Sequence, residues 1–284
     1  MNAKTKYIID FRMRPDSPEY ADFKKTRMAA PLFKYMGYEG KTQPVEELLK
    51  EWKEYGVVAS VVGGRDLELE WGHIVPNDYL ADLQKKYPGK FYCFGGVSPN
   101  KGMAAVREVE RCIKELGLKG IMMDPYMLKI PASDRRYYPI YAKCAELGVP
   151  VILTSGPGPL MPGVTIYDAH PQHYDLIAMD LPELTIIIAH GCYPWVNEAI
   201  SMVWRHPNVW IDWSFYETNP GSNLYVDACN TMPEVGNKAL FGSAHPYNNF
   251  KNSVKNFEKL AFTDEVREKV MWKNAARLLN IPLS

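Results

Sequence analysis

Eight short apolar runs rich in β-branched residues recur along the chain, and amphipathic segments separate them. The runs cover residues 6–12, 57–63, 91–97, 119–124, 149–154, 184–190, 209–213 and 239–243, each bounded by Gly, Pro, Asn or Asp. Segments such as PVEELLKEWKEYG, NDYLADLQKKYPG, AAVREVERCIKELG and DRRYYPIYAKCAELG read as helices, mostly closed by a C-cap glycine. Such alternation requires parallel strands joined by right-handed crossovers. The expected fold class is therefore α/β, a single (β/α)8 TIM barrel spanning residues 1–284 as one domain.

A doubly wound open sheet is the structural competitor, and it normally carries a glycine fingerprint after its first strand. No such fingerprint is present. GPGPLM, at residues 156–161, lacks the last glycine and follows the fifth strand, and no G-x-x-x-x-G-K occurs. Two stretches exceed an ordinary connection: residues 13–42 after the first strand and 155–175 after the fifth. In a barrel both emerge at the C-terminal face, where long loops build and cover a site. Residues 248–262 and 264–280 read as closing helices.

Thirty-three basic residues balance thirty-three acidic ones, so no surplus charge points to nucleic acid or an anionic membrane. No run of 18 apolar residues occurs, and MNAKTKYIID lacks the apolar core of a signal peptide. Five scattered cysteines without a C-x-x-C pair suit reduced thiols. These features predict a cytoplasmic protein whose partner is a small molecule.

In a barrel, chemistry is carried by the residues that end the strands. In order these are Arg12 and Arg14, Arg65, Asp124 and Tyr126, Thr154 and Ser155, His190, Asp212 to Ser214, and His245 with Tyr247. The set is cationic and hydrogen-bonding, and it contains no carboxylate–histidine cluster suited to a metal. Two guanidiniums two positions apart on a strand share a face, where they repel unless an anion lies between them.

YIIDFRMRP, NDYLADLQKKYPGKFYCFGGVSP, YYPIYAKCAELGVPVILTSG, LPELTIIIAHGCYPWV, HPNVWIDWS, ALFGSAHPY and the terminal NAARLLNI follow one another in an order that closely resembles the amidohydrolase-2 branch of the amidohydrolase superfamily. The resemblance covers essentially the whole chain. It implies a (β/α)8 barrel, hydrolase, lactonase or decarboxylase chemistry, commonly one divalent metal, and an ordinary homodimer. The departures are specific. The family's H-x-H corresponds to Arg12-Met13-Arg14, its fifth-strand histidine to Thr154, and its eighth-strand aspartate to Ala244, whereas His190 keeps the sixth-strand histidine. Arginine cannot ligate a metal and alanine offers no donor, so no metal and no other cofactor is expected.

Arg12 and Arg14 are thus expected to bind a carboxylate or an oxyanion, with Arg65 as a third contact or a loop ion pair. His190 is expected to move protons, and His245 is the alternative. Asp124 is expected to orient a histidine, hold an arginine or cap a turn. Thr154 and Ser155 are candidate hydrogen-bond donors, and Tyr126, Trp213, Phe215, Tyr216 and Tyr247 candidate pocket walls. His170 and His173 could join His190 and His245 in a rebuilt metal site, although Pro171 and the lack of a nearby carboxylate pair favour a helix-start or lid role. The leading expectation is a metal-independent hydrolase of a small carboxylated lactone or cyclic acyl compound. A metal-free lyase, either decarboxylase or hydratase, and a non-catalytic acid-binding barrel are the alternatives.

Overall fold

The computed structural model describes residues 5–282. Eight parallel strands occupy the expected runs: β1 (Ile8–Asp10), β2 (Val57–Gly63), β3 (Phe91–Gly96), β4 (Gly120–Met123), β5 (Val151–Thr154), β6 (Ile186–Ala189), β7 (Val209–Asp212) and β8 (Ala239–Leu240). Each pairs in parallel with the next. β1 and β8 close the circle. Phe11 N–H donates to Phe241 O at 2.8 Å, Ala244 N–H to Arg12 O at 2.7 Å, and Arg14 N–H to His245 O at 2.9 Å. The fold is the expected α/β barrel.

Alternation along the strands sorts side chains into two layers. Ile9, Phe11, Val61, Phe94, Met122, Ile152, Ile187, Ala189 and Leu240 form one cluster inside the barrel. Cys93, Ile121, Met123, Leu153, Ile186, Ile188 and Ile211 face outward onto the helices. Both layers are buried, which is why the strands read as continuous apolar runs.

The long connection after β1 is not structureless. It carries short helical turns at Pro18–Ala21 and Asp22–Lys25 and a helix at Ala30–Met36, and it lays Phe23, Leu32 and Phe33 across the barrel mouth. After β2, Arg65–Leu67 pairs antiparallel with His73–Val75 in a small hairpin that the sequence pattern did not show, since three-residue strands are too short to display alternation. The closing segment forms helices Phe250–Lys259 and Asp264–Glu268, the latter continuing through a π-turn at Lys269–Lys273 into Asn274–Leu279. Among the described residues no helix is long and apolar enough to cross a membrane.

Candidate active site

The C-terminal mouth of the barrel holds a narrow, partly open cavity. Its floor is cationic: Arg12 and Arg14 follow β1, Arg65 follows β2, and all three are buried. Its walls are apolar, with Phe23, Phe33 and Met36 from the loop after β1, Met161 from the loop after β5, and Phe215 and Tyr216 after β7.

Glycines set how closely the strand ends approach. A Cβ on Gly96 would fall 2.3 Å from Arg65 N, and one on Gly242 would fall 2.8 Å from Arg12 Cβ. Only glycine at these positions lets the arginines sit at the mouth without displacement.

Arg12 Nη2 lies 3.3 Å from His190 Nε2, and its Nη1 contacts the Met122 sulfur at 3.6 Å. His190 Nδ1 lies 2.9 Å from the Ser214 carbonyl, so Nδ1 carries the hydrogen and Nε2 presents its lone pair to Arg12. His190 has φ +68, opening a left-handed turn through Gly191 and Cys192 that turns the chain sharply at the end of β6. Burial first, and then the Arg12 guanidinium, push its pKa well below the usual histidine range. The imidazole is neutral at physiological pH.

The three arginines differ in their partners. Arg65 donates Nε to Asp124 Oδ2 at 3.2 Å and an Nη to the Tyr247 hydroxyl at 3.4 Å. Burial works against its charge, but Asp124 more than offsets this and holds its pKa above the ordinary value. Burial and Arg14 lower Arg12 to about 10, which leaves it charged at neutral pH. Arg14 lies beside the rings of Tyr20 and Tyr247, 5.9 and 5.3 Å from their centroids. Among the described residues, the buried Nε atoms of Arg12 and Arg14 have no hydrogen-bond partner.

Of the residues expected at the site, Arg12, Arg14, Arg65, Tyr126, His190, Tyr247, Phe215 and Tyr216 face the cavity. Asp124 stands behind Arg65, and Thr154 donates to its other oxygen at 2.9 Å; both support rather than line the cavity. Ser155 is corrected to a structural role. Its hydroxyl donates to Ala189 O at 2.6 Å and accepts from Cys192 N–H at 2.7 Å, tying β5 to β6. Trp213 is also corrected. It shares the outward parity of Val209 and Ile211 and stacks on Tyr225 at 4.9 Å, away from the cavity.

His245 turns outward as well. Ala244, at φ +60, lines the cavity, while the next side chain points to Asp16, with Nε2 3.0 Å from Oδ2. It borders an outer groove with Tyr38 and Gln43 rather than the cavity. His170 accepts from Gln172 N–H as the N-cap of helix Pro171–Asp180, and His173 meets Ser133 at 2.8 Å. Sequence reasoning missed Leu32, Phe33 and Met36. Their signal was apolar spacing on one face of the helix that carries exposed Tyr35 on the other.

A divalent metal of the kind implied for relatives does not fit this donor set. Arg12 and Arg14 are donors only, Ala244 has no donor atom, Thr154 is committed to Asp124, and His190 Nε2 faces a guanidinium. Among the described residues no group of three or more His, Cys, Asp or Glu side chains is placed to hold an ion.

Comparison with known proteins agrees with the barrel and its sequence landmarks. The chain is similar to a gamma-resorcylate decarboxylase from Polaromonas sp. (strain JS666 / ATCC BAA-500), 26% identical over 250 residues, covering 72% of this chain and 75% of that protein. It is similar to a 2-keto-4-carboxy-3-hexenedioate hydratase from Sphingobium sp. (strain NBRC 103272 / SYK-6), 25% identical over 257 residues, covering 78% of this chain and 74% of that protein. The fold matches an uncharacterized TIM-barrel protein from Bordetella bronchiseptica with a TM-score of 0.81 and 30% identity, over 96% of this chain and 98% of that one. Residues 38–281 match the family model described as Amidohydrolase, and the chain belongs to that family.

Proposed function

We propose that this protein is a metal-independent lyase acting on a small unsaturated or aromatic carboxylic acid within its single barrel domain. One observation carries the reading: two buried guanidiniums, Arg12 and Arg14, which form no ion pair among the described residues, face a largely apolar cavity beside a neutral histidine. A carboxylate supplies the missing charge and accepts bidentately from an arginine fork. The names of the similar proteins, a decarboxylase and a hydratase, support lyase chemistry over the hydrolysis that the sequence led us to expect.

The residues suggest how the chemistry runs. Arg12 stabilises negative charge that develops on the carboxylate or a conjugated oxygen, in a cavity walled by Phe23, Phe33 and Phe215 where water screens it little. His190 Nε2 is placed to take a proton from an attacking water or a substrate hydroxyl, its ring fixed by the Ser214 carbonyl. Tyr126 and Tyr247 offer hydroxyls along the same wall. The same base beside the same oxyanion site could open a lactone, which keeps hydrolysis as the second reading.

The test is product analysis with a panel of hydroxybenzoates, conjugated acids and carboxylated lactones. Release of CO2, or loss or gain of a C=C bond without ring opening, supports the lyase. Ring-opened acid as the only product supports the hydrolase and removes the proposal. The five cysteines are buried free thiols, in keeping with the reducing cytoplasmic compartment that forms part of this reading.

A further inference from the structure

Asp212, the last residue of β7, gathers three hydrogen bonds on a single oxygen. Its Oδ1 accepts from Ser214 N–H at 3.0 Å, from the Ser214 hydroxyl at 2.5 Å and from His190 N–H at 3.5 Å. Every donor thus belongs to His190 or to the residue that holds its ring. Asp212 is fully buried and is not among the side chains that line the cavity, so it has no contact with a bound molecule. Burial raises its pKa, against the pull of Arg12 and of these hydrogen bonds.

His190 Nδ1 meets two acceptors, and both are on Ser214: the carbonyl at 2.9 Å and the hydroxyl oxygen at 3.2 Å. A carbonyl can only accept, whereas a hydroxyl can donate or accept. The single hydroxyl hydrogen of Ser214 is committed to Asp212, so its oxygen also faces Nδ1 as an acceptor. Both contacts then require the hydrogen on Nδ1 and leave the lone pair on Nε2, beside Arg12. The rings of Phe215 and Tyr216 stand edge-on to the imidazole at 6.3 and 6.0 Å and bring no acceptor to it. Asp10 is the contrasting carboxylate. It is equally buried at the same end of the barrel, but its Oδ1 accepts from Arg12 N–H and Ser243 N–H and from neither His190 nor Ser214.

We propose that Asp212 is a positioning residue for His190, acting through the Ser214 hydroxyl so that the imidazole keeps its hydrogen on Nδ1 and its lone pair on Nε2. This rests on the reading of His190 as the group that takes a proton. In that step the O–H bond of water or substrate breaks, an N–H bond forms at Nε2, and the Nδ1 hydrogen stays where it is. No proton reaches Asp212, whose charge offsets the imidazolium formed beside Arg12.

The experiment is nitrogen NMR of histidine-labelled protein at pH 7.5, with the His190 signals assigned by their loss in His190→Asn. It compares the wild-type chain, Asp212→Asn, Ser214→Ala, the double variant, and Asp10→Asn as the control. The wild type should show His190 with its hydrogen on Nδ1. Asp212→Asn and Ser214→Ala should each move the ratio of the two tautomers toward Nε2–H by at least about tenfold. The double variant should do no more than Asp212→Asn alone, as two groups acting in series require, and Asp10→Asn should leave the ratio unchanged. A wild-type hydrogen on Nε2, an unmoved ratio in both single variants, or an equal shift in Asp10→Asn would each overturn the inference. Should Asp212→Asn fail to fold, the wild type and Ser214→Ala still decide. With whichever hydroxybenzoate, conjugated acid or lactone the product analysis finds to turn over, kcat of Asp212→Asn should fall at least about tenfold without a rise in KM. A shifted tautomer ratio with kcat unaltered would support the positioning and remove the reading of His190 as the base.

Discussion

The guanidinium of Arg12 and the imidazole of His190 meet at 3.3 Å, and the far nitrogen of that imidazole is held by the Ser214 carbonyl at 2.9 Å. In the proposed reaction, a cation suited to stabilise developing oxygen charge therefore stands next to a neutral imidazole whose tautomer is fixed. The pair is oriented from the ends of β1, β6 and β7, from Met122 on β4 and from the segment after β8.

His190→Asn is the most informative single change, because asparagine tolerates the left-handed backbone at φ +68. Turnover should fall by about 10²- to 10⁴-fold with acid binding largely retained. Measured kcat within a few-fold of wild type would show that His190 does not move the proton.

The pH behaviour follows from two buried groups of opposite sign. His190 is pushed well below its ordinary value by burial and Arg12, so its stabilising contribution is present above about 6.5 and lost as pH falls below that. Burial lifts Asp10 to about 6, against hydrogen bonds from Ser243 and Arg12 N–H that lower it; its contribution is full below 3.8 and lost as pH rises through about 6. The stability gap between wild type and His190→Asn should therefore widen from pH 5 to pH 7.5. Imidazole NMR should find His190 neutral throughout, and a midpoint above pH 6 would contradict this.

Chelation should leave activity unchanged. Elemental analysis should find far less than one zinc or manganese per chain, since neither arginine can replace a ligating histidine. Tight stoichiometric metal, with activity lost on its removal, would refute the reading of the arginine floor.

Asp124→Asn leaves Arg65 charged and buried without its partner, although the Thr154 hydrogen bond can survive. The expected cost is about 3–5 kcal/mol, read as a lower urea midpoint. A loss below about 1 kcal/mol would mean that water or another anion compensates.

Gly242→Ala should damage binding and stability together. The added methyl would lie 2.8 Å from Arg12 Cβ and 3.1 Å from Ser214 Cβ, and must shift the arginine. Acid affinity should drop by about tenfold or more, and overpacking of the seam should cost about 1–3 kcal/mol, read as a lower melting temperature. Unaltered affinity would show that Arg12 has room to spare.

Much of this arrangement was legible beforehand, and for identifiable reasons. Strands buried on both faces announce themselves as apolar runs, so all eight fell in their expected stretches. Arg12, Arg14 and His190 were readable because a residue that ends a barrel strand has a fixed position at the mouth. Residues one step further along were not. Ser155, Trp213 and His245 follow a strand end closely, yet parity or a left-handed turn sends each away from the cavity. The apolar roof was equally hidden, because the spacing of Leu32, Phe33 and Met36 reads as ordinary core packing until the loop is folded over the mouth.

The seam between β1 and β8 has a consequence for synthesis. Asp10 Oδ1 accepts from Arg12 N–H two residues away and from Ser243 N–H 233 residues away, and the backbone on either side of Arg12 is bonded to residues 241 and 244. The arginines are made well before the ladder that holds them, with 233 positions separating Asp10 from Ser243. A nascent chain on the ribosome thus carries its cations on a strand that can pair with β2 on one side only until the final strand has emerged. Ligand capture by such a chain would report completion of the circle, and partial products would stay blind to the acid.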